Sequence, residues 1–389
     1  MDHRAWCTKA KRVVVKVGTS TLTGGGREPE RSRLSTIAAD IAAVHRQGRE
    51  VVLVSSGAIV TGAAHLGVSL PVRGIPLRQA LAAVGQPILM AAYAQVFARF
   101  DIPVAQVLLT REDVEDRRRY LNARNTLLTL LKRRVLPIVN ENDAVAVEEI
   151  QIGDNDNLSA LVASLIDADL LVILSDVDGL YDDDPRQNPG ASLIPLVERI
   201  DDAVEQLARK TRSPMGVGGM LTKIQAARIG TGSAVTVVIV NGNAPRPVQR
   251  VLAGEPLGTL FLPAARRPAS RRRWLAFGVT PRGTVFVDAG AVAALRRGKS
   301  LLPSGIREVQ GNFQSGDLVV IAGPDGREVA RGLVNYSREE LERIKGLRTS
   351  QIEGVLGYRG HEEAVHRDNM LVQRSPLGEA GGESDARPR

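Results

Sequence analysis

The chain is constrained most by six short, mainly apolar runs, at residues 13–17, 51–54, 102–109, 136–139, 170–174 and 235–240, each followed by Ser, Thr, Asn, Asp or Gly. A strand with one wet face alternates polar and apolar residues, whereas a strand covered on both faces is apolar along its length. Helical spacing fills the intervals. Leu34, Ile37, Ala38, Ile41 and Val44 recur at three and four residues before Gly48, and a second pattern runs from Gln79 to Arg99, where Pro87 is expected to interrupt or kink it. Parallel neighbours need crossover helices, so the alternation predicts an α/β fold: a three-layer αβα sandwich around a mostly parallel sheet. Ligands of such sheets bind beyond the carboxyl ends of the strands. That rule puts Gly18 to Ser20, Ser55 to Gly57, Asn140 to Asp143 and Ser175-Asp176 on one rim.

The stretch Ile152-Gly153-Asp154-Asn155-Asp156-Asn157-Leu158-Ser159 belongs to the same rim, as a loop opening a helix from Leu158 to Ala168. One Asn or Asp suffices for a helix cap. Four such residues in a row exceed that need and suggest a polar ligand or metal. A calcium loop of the EF-hand type is excluded, because the sixth position counted from Asp154 is Ser159, where that loop requires Gly.

Two lysines stand out. Lys16 sits inside an apolar strand, where an ammonium is costly unless an anion or acid partners it; two readings stay open, a rim-facing cation and an edge lysine that snorkels to water. Lys223 ends Gly216-Val217-Gly218-Gly219-Met220-Leu221-Thr222-Lys223, a glycine-rich entry to a helix. Small residues let backbone N–H groups approach phosphate, and the helix dipole favours the negative charge. The spacing fits neither a Walker A loop nor a dinucleotide fingerprint. Ser175 and Asp176, at a strand end, could meet a nucleotide, whereas Asp182 to Asp184 suit solvated surface. Lysines on phosphate-type loops facing rim carboxylates suggest phosphoryl transfer. No histidine lies in a rim motif, which favours a carboxylate acceptor: its pKa of about 4.3 leaves it ionised at neutral pH without a base.

Composition sets outer bounds. With 389 residues, two domains are the default. Cys7 is the only cysteine, so no intrachain disulfide can form, and this suits a reducing cytoplasm. Residues 1–11 have the texture of a frayed start in which Cys7 is inert. No uninterrupted apolar run reaches about 18 residues, so a membrane-spanning helix is not expected. The net charge of +8 favours anionic partners, namely nucleotides, acidic metabolites or nucleic acid, while 3% aromatics disfavours a base-stacking surface. A Pro/Arg-rich linker at 265–274 separates residues 1–264 from a small β-rich domain at 275–360, and the polar residues 367–389 are expected to be disordered.

Val14-Val15-Lys16-Val17-Gly18-Thr19-Ser20, Ser55-Ser56-Gly57-Ala58-Ile59, Leu121-Asn122-Ala123-Arg124, Asn140-Glu141-Asn142-Asp143-Ala144-Val145, Gly153 to Asn157 and Gly218 to Lys223, in that order, resemble the glutamate 5-kinase family of amino-acid kinases. The resemblance implies ATP- and Mg²⁺-dependent phosphorylation of the γ-carboxylate of L-glutamate, the first step of proline biosynthesis, in a cytoplasmic homo-oligomer inhibited by proline. It implies that Lys16 and Lys223 flank the transferred phosphoryl group and that Asp156 orients them. Ser56, Asp143 and Asn155 would hold glutamate; Lys16, Ser175, Asp176 and Val217-Gly218-Gly219-Met220-Leu221-Thr222-Lys223 would bind ATP. The family often has Thr where Val217 stands, so a hydroxyl contact is missing there. The metal ligands and the role of Asp154 are not legible. Gly298 to Ile306 with Gly311-Asn312-Phe313 resembles a PUA domain, a fold that elsewhere binds RNA. An RNA-binding protein acting through that domain, or a kinase of another acidic amino acid, are the alternative readings.

Overall fold

A computed structural model describes residues 3–26, 28–72, 74–145, 155–210, 219–263, 280–358 and 361–373. They fall into two compact units, residues 1–268 and 269–389. The first unit is built on an eight-stranded sheet: β1 (Arg12–Val17), β2 (Glu50–Ser55), β3 (Val104–Leu109), β4 (Leu136–Glu141), β5 (Leu170–Ser175), β6 (Leu196–Val197), β7 (Thr236–Asn241) and β8 (Thr259–Phe261), in the order β3-β4-β2-β1-β5-β7-β8-β6. Pairing is parallel from β3 through β7, and β8 runs antiparallel to β7. The six predicted strands are present, while β6 and β8, only two and three residues long, carry too little pattern to be read from sequence.

Helices Arg31–Arg46, Ile75–Ala98 and Pro247–Leu252 pack with Val13, Val15 and Val17 into one core on one face of the sheet. Because side chains alternate along a strand, Val14 and Lys16 point to the opposite face. There the helices Asn155–Leu165 and Met220–Gly232 bury Leu158, Val162, Ile224 and Ala227. The chain leaves β1 towards β2 on one side and reaches β5 on the other, so the switch in strand order lies between β1 and β5.

Four expectations need correction. Helix Ile75–Ala98 runs through Pro87 without a break. Proline costs a helix interior roughly 3 kcal/mol, and here tertiary packing outweighs it. Gly62 of helix Ala58–Leu66 meets Gly85 of the long helix backbone to backbone: a Cβ on Gly62 would stand 1.9 Å from the Leu81 carbonyl oxygen, and one on Gly85 the same distance from that of Ala58. The same helix is long and apolar enough by composition to cross a membrane, yet its buried residues Leu81, Leu89, Tyr93 and Phe97 belong to the interior. Second, the start of the chain is not frayed: helix Ala5–Thr8 buries Cys7 completely, and Arg4 donates to the carbonyls of Leu257 and Gly258. Third, Asn155 and Asp156 do not lie in a loop ahead of the helix, which starts at Asn155; short polar side chains serve as well in a first helical turn as before it.

The second unit carries a five-stranded sheet of β9 (Gly283–Val287), β10 (Ile306–Gly311), β11 (Leu318–Ala322), β12 (Glu328–Val334) and β13 (Val365–Val372), ordered β10-β9-β11-β12-β13. The fourth correction falls here. Residues 367–372, expected to be disordered, belong to β13: residues 370–372 pair antiparallel with β12, and Met370 and Val372 pack into the apolar core of this unit. The linker at 265–274 and residues 374–389 lie outside the described residues.

Gly85→Ala is expected to lower unfolding free energy by about 2 kcal/mol or more, since the clash is with backbone and no side chain can swing away. Urea denaturation checks it.

Candidate active site

Lys16, near the carboxyl end of β1, faces the helix Asn155–Leu165, whose first turn carries Asp156. Lys16 Nζ lies 2.5 Å from Asp156 Oδ1, and Lys223 Nζ lies 3.1 Å from Asp156 Oδ2. The Thr222 hydroxyl donates to the same Oδ2 at 2.8 Å. The snorkelling-lysine reading fails, because β1 is interior to the sheet and Lys16 is only 5% exposed; Lys223 is 6% exposed and Asp156 fully buried. Gly18 leaves the ammonium room: a Cβ there would sit 3.2 Å from Lys16 Nζ.

Burial by itself would raise the Asp156 pKa, but the ammonium groups of Lys16 and then Lys223 outweigh it and hold the carboxyl below its ordinary value. Two buried cations share one anion. Both ammonium groups stand near the carboxyl end of β1, where their charge attracts an incoming anion. Helix Met220–Gly232 adds to this pull. Gly219 at its N-cap has no side chain to satisfy the first-turn N–H groups, so these remain suited to phosphate oxygens.

A second set of polar groups adjoins the triad through Asn155, the neighbour of Asp156. Its Nδ2 donates to Ser56 Oγ at 2.8 Å and to Asn140 Oδ1 at 3.0 Å. Asn140 also accepts from the main-chain N–H of Glu141 at 2.9 Å and donates to Gln86 Oε1 at 2.9 Å. Gln86 in turn donates to Gln106 Oε1 at 3.1 Å. Asp143 lines a cavity of about 210 Å³ together with Ala58, Gln86, Gln106 and Asn142. Burial raises the pKa of Asp143, and the charge of Arg78 opposes that shift.

The structure thus joins Lys16, Asp156, Thr222 and Lys223 in one cluster and Ser56 with Asn155 in another that touches it. Ser175 and Asp176 stand at the end of β5, with Ser175 Oγ 3.3 Å from Asp176 Oδ1 and Arg186 Nη2 3.3 Å from Asp176 Oδ2. Met220 is buried and Leu221 half-buried, which leaves their backbone N–H groups as the atoms that could serve a nucleotide. Val217, Gly218 and Asp154 lie outside the described residues. Among the described residues no group of three or more His, Cys, Asp or Glu side chains could hold a metal ion. Sequence reasoning missed Gln86 and Arg186. The signal for Gln86 was a carboxamide beside a proline in the apolar middle of its helix; Arg186, in a surface loop, gave none.

The model of the amino acid kinase family matches residues 11–241, and that of the PUA domain residues 283–356. The glutamate 5-kinase of Herpetosiphon aurantiacus is 52% identical over 362 residues, which are 93% of this chain and 98% of that protein. Those of Caldanaerobacter subterraneus subsp. tengcongensis and Moorella thermoacetica are 49% and 48% identical, over 93% and 95% of this chain and 97% and 98% of theirs.

Asp156→Asn removes the buried carboxylate that Lys16 and Lys223 share and is expected to cost about 3–5 kcal/mol of stability at neutral pH. The depressed pKa fixes the pH dependence: the carboxylate's contribution is complete above the ordinary value of 3.8 and is lost as pH falls through the lower folded-state value. Urea midpoints of the two proteins should therefore differ by a constant amount from neutral pH down to about 5 and converge below about 4.

Proposed function

The chain belongs to the glutamate 5-kinase family of amino acid kinases, and from that premise we propose that it transfers the γ-phosphoryl group of ATP to the γ-carboxylate of L-glutamate, giving L-glutamyl 5-phosphate and ADP. The observation that carries the reading is the pair of buried lysines, Lys16 and Lys223, that Asp156 holds together at the carboxyl ends of the strands. A carboxylate oxygen forms the new bond to phosphorus while the bond between that phosphorus and the bridging oxygen of ADP breaks. No proton has to leave the acceptor, since a carboxylate with a pKa of about 4.3 is already ionised. The chain's task is then to bring two anions together and to neutralise the charge that moves between them. Lys16 and Lys223 act on the oxygens of the transferred group, and Asp156, with one oxygen for each ammonium, keeps the two from splaying apart.

Ser56 and Asn155 hold the acceptor, and Asp143 neutralises its α-ammonium. Ser175, Asp176 and the segment 217–223 receive the nucleotide. Magnesium, when bound with the nucleotide, would neutralise charge on the phosphates. The reading also carries proline as a feedback inhibitor, a homo-oligomeric assembly and a cytoplasmic setting. An RNA-binding protein acting through the PUA unit is the weaker reading, because it leaves the buried triad without a task.

With glutamate, MgATP and hydroxylamine the protein should form γ-glutamyl hydroxamate. ADP release only with a different amino acid would sink the reading. Lys223→Ala should lower kcat by about 100-fold or more, because its interaction strengthens as charge develops in transfer. Asp143→Asn should raise KM for glutamate by about tenfold while leaving KM for ATP alone, as expected when a charged partner is lost in the ground state. In the unsubstituted protein KM for glutamate should also rise on the acid side, starting above the pH of an ordinary aspartate, since the raised pKa means Asp143 is protonated early.

A further inference from the structure

The carboxamides behind the acceptor pocket have a direction. Amide oxygen and nitrogen are similar in shape, so their orientation follows from a neighbour whose role is beyond choice. The main-chain N–H of Glu141 is such a neighbour, since it can only donate. It lies 2.9 Å from Asn140 Oδ1 and so makes that atom the acceptor. Asn140 must then turn its Nδ2 towards Gln86, which must present Oε1. The remaining end of Gln86 donates to Gln106 Oε1. In the other direction, Asn140 Oδ1 draws a donor from Asn155, so Nδ2 of Asn155 turns inward and Oδ1 is the atom left over.

That leftover atom is notable. Among the described residues Asn155 Oδ1 is buried and has no hydrogen-bond donor. A buried acceptor without a donor is costly, and an ammonium N–H from the acceptor substrate is the group that relieves it. Ser56 is polarised by the same chain. Its Oγ accepts from Asn155 Nδ2 at 2.8 Å, which frees the hydroxyl hydrogen to be donated elsewhere, for instance to a carboxylate.

We propose that Gln86, a residue of the long helix outside the ion triad, is a positioning residue that sets amino-acid polarity in the acceptor pocket: through Asn140 it keeps Asn155 presenting an oxygen to the α-ammonium and Ser56 presenting a hydrogen to a carboxylate. Both ends of its amide are engaged within the protein, and it is 8% exposed. Without its Oε1, Asn140 Nδ2 loses its acceptor, and Asn140, left with the Glu141 N–H as the contact that orients it, holds Asn155 less firmly in place. The inference rests on the reading of the pocket as an amino-acid site.

The test uses the full chain. Gln86→Met removes the amide at nearly constant volume; Gln86→Glu retains an oxygen for Asn140 Nδ2, and Gln106 can rotate its own amide to donate to it. For Gln86→Met we expect KM for glutamate to rise about tenfold, with KM for ATP and the thermal midpoint nearly unchanged. The preference for glutamate over glutarate, which lacks the ammonium, should shrink in parallel. Gln86→Glu should restore both to within about threefold. Gln106→Leu, on a more exposed side chain one link further out, should move KM for glutamate in the same direction by less, and it serves if Gln86→Met does not fold. An unchanged KM for glutamate and an unchanged glutarate preference in a folded variant would overturn the proposal. So would a uniform fall in kcat, affinity for both substrates and thermal midpoint that Gln86→Glu shares, since that marks a structural role. The unsubstituted protein separates the two levels: if it forms no hydroxamate from glutamate, the functional reading fails, whereas if it does and the variants behave like it, only the role of Gln86 fails.

Discussion

Two ammonium groups buried against a single carboxylate are the interaction on which the first unit depends. Asp156 is tolerable in the interior because Lys16 and Lys223 reach both its oxygens and the Thr222 hydroxyl donates to one of them, and each lysine gains a buried anion in return. Each partner comes from a different element: the middle strand β1, the helix before β5 and the helix before β7. The ion triad thereby ties sheet and helical layer together at the carboxyl ends of the strands.

Around the triad, division of labour follows from backbone geometry. On the proposed reading the nucleotide side uses loops and a helix N-terminus, whose N–H groups suit phosphate. On the same reading the acceptor side uses side-chain amides, which suit both charge signs of an amino acid because each carries a donor and an acceptor. The long helix Ile75–Ala98 supports the second arrangement. Its close approach to Ala58–Leu66 at Gly62 and Gly85 holds the backbone next to Gln86 in place. Packing, amide direction and pocket polarity are consequently linked in one element.

Much of this was legible before any coordinates. The apolar runs announced a buried parallel sheet, and all six strands are found. Lys16 was conspicuous because charge inside an apolar run is expensive, and Asp156 because its polar run exceeded what a cap needs. Short strands β6 and β8 escaped, as did the burial of Cys7, because neither leaves a periodic trace. Pro87 misled: a local rule predicted a break that contacts between distant glycines override. Gln86 was passed over since one of three glutamines in a mainly apolar helix looks the same whether it faces water, a neighbour or a relay.

By itself the sequence determined the class of fold, the rim and the types of charge that gather there, because those depend on local pattern and on the cost of burying an ion. Only the tertiary structure decided which partners meet: that Lys16 and Lys223 share Asp156, that the polar residues 155 and 156 form a helical turn rather than a loop, and that Gln86 stands behind Asn140. The reason is physical. Pairing across 67 or 140 residues of chain is set by strand order and by which face alternation turns each side chain toward; no spacing along the sequence encodes it.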